Sequence, residues 1–252
     1  MAKRTLVLAL VALALLGVAS CSERDAAQRV LLYGDSLVWG WIPVENQDRD
    51  GGRYPYKARI AGVMQKELGG AWSLVEEGLN GRTAGVDVAF WNFPDIDRQD
   101  QNFNGRRTLL PAIWSHEPLR VVVIMLGVND ARNFLHQTIG DVERSVETLV
   151  KLAKSGSMQK APAAIVLVSP PPVGKGASEL FSTIFDEGSF ALVKRYAAAY
   201  RAVAEREGVL FFDAASVVPV ADGVDGVHLS AKSTHILGKA LAAFVKENVG
   251  AQ

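Results

Sequence analysis

Four short stretches hold the residue types that nucleophilic catalysis needs. Gly34-Asp35-Ser36 closes an apolar run near the start of the chain. Glu77-Gly78-Leu79-Asn80-Gly81-Arg82-Thr83, Gly127-Val128-Asn129-Asp130 and Asp222-Gly223-Val224-Asp225-Gly226-Val227-His228-Leu229 follow in that order. A serine hydroxyl attacks poorly until a base takes its proton and donors hold the oxyanion that forms. His228 is the best base among the four histidines. His116, in WSHEP, lies just before a strand-like run, at the wrong end of a sheet, while His136 and His235 fall in helix-like segments with no acid at a comparable offset. Asp225 stands three residues before His228, near enough for its carboxylate to reach the ring Nδ1–H and fix the tautomer. Asp222, six residues away, ranks second. Read alone, Gly-Asp-Ser is equally an ordinary turn, and a histidine near an aspartate often serves structure only. Placement on the fold has to decide.

Five strand-like runs are visible, at 29–33, 72–76, 120–126, 163–169 and 209–212. RVVVIML and AAIVLVS are continuously apolar, the pattern of strands buried on both faces, as parallel sheets require. Helix-like stretches at 56–68, 141–154, 190–207 and 230–247 alternate with them, the first ending at Gly69-Gly70 and the last opening on a capping Ser230. Alternating strands and helices predict a three-layer α/β sandwich. Ligands in such sheets bind outside the carboxyl ends of the strands. All four stretches fall there or on a loop leading into a helix, and that shared placement favours chemistry over a turn. The irregular segments 41–54, 92–107 and 170–188 are either pocket rim or plain surface connection.

In this order and placement the motifs GDSLVWGW, EEGLNGRT, IMLGVND, VSPPP, FFDAASV and DGVDGVH resemble the SGNH hydrolases, the GDSL-type esterases, across the whole chain after its leader. The wording is most similar to the bacterial arylesterase and perhydrolase/acyltransferase branch. The resemblance implies a flavodoxin-like three-layer αβα sandwich with a five-stranded parallel sheet, and a catalytic triad of Ser36, Asp225 and His228. It also assigns an oxyanion hole to the backbone N–H groups of Ser36 and Gly81 and the side-chain amide of Asn129. Gly81 suits that task because a residue without a side chain lets its amide approach closely; Gly78 is the competing glycine, but the NGRT register favours Gly81. Asn129 has the alternative role of capping a turn. Asp35 and Asp130 read as structural, bonding nearby backbone amides. Trp39, close after Ser36, is a candidate for lining an acyl pocket; Trp39, Trp41 and Trp91 are otherwise core. Short-chain aryl or alkyl esters are the implied substrates, with acyl transfer or perhydrolysis as a further activity of that branch, which also includes oligomers.

The bulk of the chain fits one soluble domain. Among its 252 residues, 27 Lys and Arg balance 27 Asp and Glu and never cluster, so a nucleic-acid partner has no electrostatic footprint. The first twenty residues differ: Lys3 and Arg4 precede a thirteen-residue apolar run and then small residues. That run is too short for a bilayer core, which needs about twenty residues, and has the plan of a secretory signal. Val18-Ala19-Ser20-Cys21 resembles the lipobox of bacterial lipoproteins. Cys21 is the one cysteine of the chain, so it has no internal disulfide partner. The expectation is a signal peptide at 1–20, a lipid anchor on Cys21, a polar tether at 21–28 and the catalytic domain at 29–252. Ser22 after the cysteine favours the outer membrane. A plain signal peptide with an incidental cysteine is the alternative.

No motif predicts a metal site or a phosphate cradle, and no cofactor is expected. The rival enzymatic readings are a deacetylase of envelope carbohydrate and a lysophospholipase. A rival of another class is a non-catalytic envelope lipoprotein binding a ligand at the same sheet edge.

Overall fold

The structure, a computed structural model, describes residues 28–45, 52–88 and 103–250. The leader, Cys21 and Trp91 lie outside the described residues. Among those described, no helix is long and apolar enough to cross a membrane.

Five strands form one parallel sheet: β1 (Gln28–Gly34), β2 (Trp72–Gly78), β3 (Val121–Met125), β4 (Ala164–Ser169) and β5 (Leu210–Asp213). Their order is β2-β1-β3-β4-β5, the flavodoxin-like order. Every residue of β3 is buried, as the unbroken apolar run requires; full burial of each such side chain contributes about 1.5–3 kcal/mol, which pins β3 at the centre. Gln28, expected to end the tether, instead opens β1, because its N–H bonds the Ala71 carbonyl at 3.0 Å and carries the ladder one residue further.

The helices are α1 (Ser36–Trp39), α2 (Ile60–Leu68), α3 (Gly105–His116), α4 (Ile139–Ser155), α5 (Gly176–Leu180), α6 (Glu187–Val193), α7 (Tyr196–Glu207) and α8 (Ala231–Val249). Helix α2 packs on α8, while α4 packs between α3 and α7, so two helical layers enclose the sheet. Three differences from the sequence expectation have local causes. Helix α4 starts before Asp141 because Thr138 and Asp141 form a reciprocal capping box. The stretch expected as one helix at 190–207 is two, broken at Lys194-Arg195, with Asp186 and Ser189 capping the first. Helix α3 was hidden by the internal Pro111, which reads as a breaker; Asn104 caps it by accepting from the Arg106 N–H at 3.0 Å.

Chain order reverses at β1, which lies between β2 and β3. The connections leaving β1, β2 and β3 are therefore brought to one edge, where a doubly wound sheet opens a crevice.

Candidate active site

Ser36 is the first residue of α1, a single turn directly after β1. Asp35 caps that turn, its Oδ1 accepting the Leu37 N–H at 2.9 Å, and Gly40 ends it in the left-handed region. The turn lies so close over β2 that a Cβ on Gly78 would stand 2.3 Å from the Trp39 nitrogen. Gly78 is thus a packing glycine.

His228 arrives from the loop before α8. Its Nε2 lies 3.0 Å from Ser36 Oγ, and its Nδ1 lies 2.8 Å from Asp225 Oδ2. Asp225 is fully buried, and its Oδ1 accepts the backbone N–H groups of Val227 and His228 at 3.0 and 2.9 Å. A further N–H, from Val44, reaches Oδ2 at 3.3 Å. Burial alone would raise the Asp225 carboxyl, but the His228 bond and charge together with these N–H groups outweigh it and hold it below the usual carboxylate range. The carboxylate is therefore kept ionised against Nδ1, which places the imidazole proton there and leaves Nε2 as an acceptor facing the serine. Asp222 does not compete. Its two oxygens take the Ser230 N–H and hydroxyl at 3.0 and 2.7 Å and fasten the loop that carries His228. His116 bonds Glu77 at 3.0 Å instead.

Two more loops face this array. Gly81 is buried and has φ of +77°, a left-handed conformation open to glycine, so the backbone itself demands glycine there. Arg82 fastens the Gly81 loop to the end of β1: its Nη1 donates to the Gly34 and Glu77 carbonyls at 2.9 and 2.5 Å, and its guanidinium lies 4.1 Å from the Tyr33 ring. Asn129 lies on a 3-10 turn, Val128–Ala131, beyond β3. Its Nδ2 donates to the Arg82 carbonyl at 3.0 Å, which links the Gly81 and Asn129 loops directly. Asp130 adds a second link by accepting the Ala84 and Gly85 N–H groups at 2.7 and 3.2 Å. Burial raises Asp35 to about 6 and Asp130 to about 7. Both act on backbone amides, as read from the sequence. Behind the Asn129 turn, the buried hydroxyls of Tyr196 and Tyr200 donate to the Gly127 and Leu126 carbonyls at 3.0 and 2.6 Å.

The aromatic residue beside the imidazole is Trp41, stacked on His228 with ring centres 5.5 Å apart. Phe181 meets the same ring edge-on at 6.5 Å. Trp39, the tryptophan nominated from sequence, packs on Trp41 at 5.7 Å and carries the Arg53 guanidinium at 4.8 Å. Val44, Phe181 and Arg82 were missed in the sequence, and Trp41 was read there as core rather than as part of the site. Only the WGW pattern after Ser36 and the arginine of NGRT carried any local signal for them. Two surface clefts of about 420 and 470 Å³ are lined by none of Ser36, Asp225 or His228.

A parallel α/β sheet that sets a serine hydroxyl, an imidazole and a buried carboxylate in one hydrogen-bonded line has the architecture of a serine hydrolase. Residues 32–235 match the GDSL-like Lipase/Acylhydrolase family. The native aryl esterase of M. smegmatis is 35% identical, with a TM-score of 0.79 over 88% of this chain and 99% of that one. Its inhibitor-bound form gives 36% identity and 0.79 over 88% and 99%. A carbohydrate acetylesterase from Sinorhizobium meliloti is 35% identical, with 0.78 over 87% and 99%. No curated protein sequence matches the chain. The chain belongs to the GDSL-like lipase/acylhydrolase family and is a serine carboxylic ester hydrolase with the SGNH-hydrolase fold.

Proposed function

We propose that Ser36, His228 and Asp225 hydrolyse short-chain carboxylic esters through an acyl-enzyme. His228 Nε2 takes the Ser36 proton as Oγ bonds to the ester carbonyl carbon, and the carbonyl oxygen becomes the oxyanion. Asp225 stabilises the imidazolium without itself taking the proton. The oxyanion is held by the Ser36 N–H, the Gly81 N–H and the Asn129 amide. The first N–H groups of a helix have no intrahelical acceptor, which leaves that of Ser36 for substrate. As the carbon–oxygen bond to the leaving group breaks, His228 returns its proton to the departing alcohol. A water molecule then gives one proton to His228 as its hydroxide bonds to the acyl carbon; the bond from that carbon to Oγ breaks, His228 returns the proton to Ser36 Oγ, and the acid leaves.

The observation that carries this reading is the 3.0 and 2.8 Å chain from Ser36 through His228 to Asp225. Its test is Ser36→Ala in a p-nitrophenyl acetate assay: turnover should fall to background, and retained turnover would remove Ser36 from the role. The Trp41 and Phe181 rings around His228 suit an aryl leaving group. The similarity to a carbohydrate acetylesterase supports a second reading, acetate release from glycans. Acetate yields from an acetylated oligosaccharide and from an aryl acetate, measured side by side, separate the two. The same apolar rings would receive the carbon chain of an acceptor alcohol, so we include acyl transfer to alcohols in the proposal.

We also propose that Cys21 carries a lipid that holds the protein on a membrane surface in the cell envelope. Strand β1 starts at Gln28 and runs toward Ser36, so the anchor joins the end of the sheet opposite the site.

A further inference from the structure

The amide of Asn129 is gripped at both ends. Its Nδ2 donates to the Arg82 carbonyl at 3.0 Å, and its Oδ1 accepts from Arg132 Nη2 at 2.7 Å. The two ends of an asparagine amide have nearly the same shape, so its partners decide which way it sits. A guanidinium only donates and a carbonyl only accepts. A flipped amide would press its NH₂ against Arg132 and its oxygen against the Arg82 carbonyl, turning two attractions into two repulsions. The second N–H of Nδ2 meets Asp35 Oδ2 at 3.5 Å, the long limit of a hydrogen bond, so an incoming oxyanion would compete with a weak partner for it.

Arg132 is only 7% exposed, three residues past Asn129 and just beyond the 3-10 turn. Burial lowers its pKa, while the nearby Asp130 and Asp35 charges raise it. A surface arginine would be solvated; this one is spent inside, against a side chain of the proposed oxyanion hole. Its charge on the far side of the amide polarises the group and makes the opposite N–H a stronger donor. It also offsets the two buried carboxylates, whose negative charge would otherwise oppose the oxyanion.

We infer that Arg132 is a positioning residue for the ester reaction, fixing and polarising the Asn129 amide so that its N–H meets the oxyanion. The inference rests on the reading of Asn129 as an oxyanion donor. The experiment is a double-mutant cycle on p-nitrophenyl acetate with Arg132→Met, Asn129→Ala and the pair, each checked by thermal melting. Losing one oxyanion donor costs about a hundred- to a thousandfold in kcat. Arg132→Met should lose about tenfold or more of kcat with KM nearly unchanged, and nothing further once Asn129 is alanine. Arg132→Lys, which keeps one charged donor, should recover most of the loss. An equal loss with and without the Asn129 amide overturns the inference, as does full kcat in Arg132→Met. If Asn129→Ala itself keeps full kcat, the fault lies with the Asn129 reading instead. Should Arg132→Met fail to fold, the same cycle is run on Arg132→Gln, which removes the charge but keeps a polar head, and full kcat there is again a contrary result. There, a kcat loss that persists in the Asn129→Ala background is the contrary result, and one that disappears is the supporting result.

Discussion

Replacing Asp225 with asparagine tests the tautomer argument atom by atom. Oδ1 accepts two backbone N–H groups, from Val227 and His228, so the amide oxygen must stay at that position. The NH₂ then falls at the Oδ2 position, 2.8 Å from His228 Nδ1. An NH₂ there can only donate, so Nδ1 becomes the acceptor and the ring proton moves to Nε2. That nitrogen faces Ser36 Oγ at 3.0 Å and can no longer take its proton. A forced tautomer of this kind costs a serine hydrolase about 10⁴-fold in turnover, equivalent to about 5.5 kcal/mol of barrier. The Val44 N–H, 3.3 Å from Oδ2, also loses its acceptor. A buried unsatisfied N–H costs about 1–3 kcal/mol, so melting should fall by about 2–12 °C and leave a folded protein to assay. The assay is kcat for p-nitrophenyl acetate near pH 7.5, with a thermal melt on the same sample. Activity within tenfold of wild type, on a folded protein, would refute the reasoning.

Three further outcomes are expected. Gly81→Ala puts a side chain at φ +77°, which costs an L-residue about 1–2 kcal/mol; the backbone should turn its N–H away and lower kcat by about tenfold or more, whereas unchanged kcat would exclude that N–H from the oxyanion hole. Burial lifts Asp130 to about 7, and an acid raised on folding binds more protons folded than unfolded between the two values. Its contribution to stability is therefore greatest in acid and declines as pH rises from about 4 to about 7. Asp130→Asn cannot titrate, so the melting gap between wild type and this variant should narrow from pH 5 to pH 8, and a constant gap would contradict the assignment. Full-length protein made in a bacterial host should incorporate labelled palmitate and sediment with membranes, and Cys21→Ala should do neither; identical behaviour of the two would defeat the anchor.

What was legible in the sequence was local. The buried strands could be read because β3 and β4 are unbroken apolar runs, and Asp225 with His228 because three residues of one loop suffice to join carboxylate and ring. Ser36 was readable because its motif ends a strand. Contacts between distant segments left no such trace. Val44 donates to a carboxylate 181 positions away, and Trp41 stacks on His228 from a stretch whose Ile42 N–H bonds the Gly52 carbonyl at 2.9 Å. Arg132 lies close to Asn129 in sequence, yet a cation after a polar turn reads as a solvated charge. Only its burial shows otherwise. Helix α3 failed for a different reason: Pro111 argues against a helix locally, while packing against α4 sustains one.

The central claim is that the Ser36 hydroxyl is the attacking group. The most direct measurement is covalent: incubation with a fluorophosphonate ester, intact-mass analysis, and peptide mapping of the adduct. One adduct should form, on the peptide carrying Ser36, and labelling should disappear in Ser36→Ala together with ester turnover. Stoichiometric labelling of another residue, or full turnover after Ser36 is blocked, would contradict it.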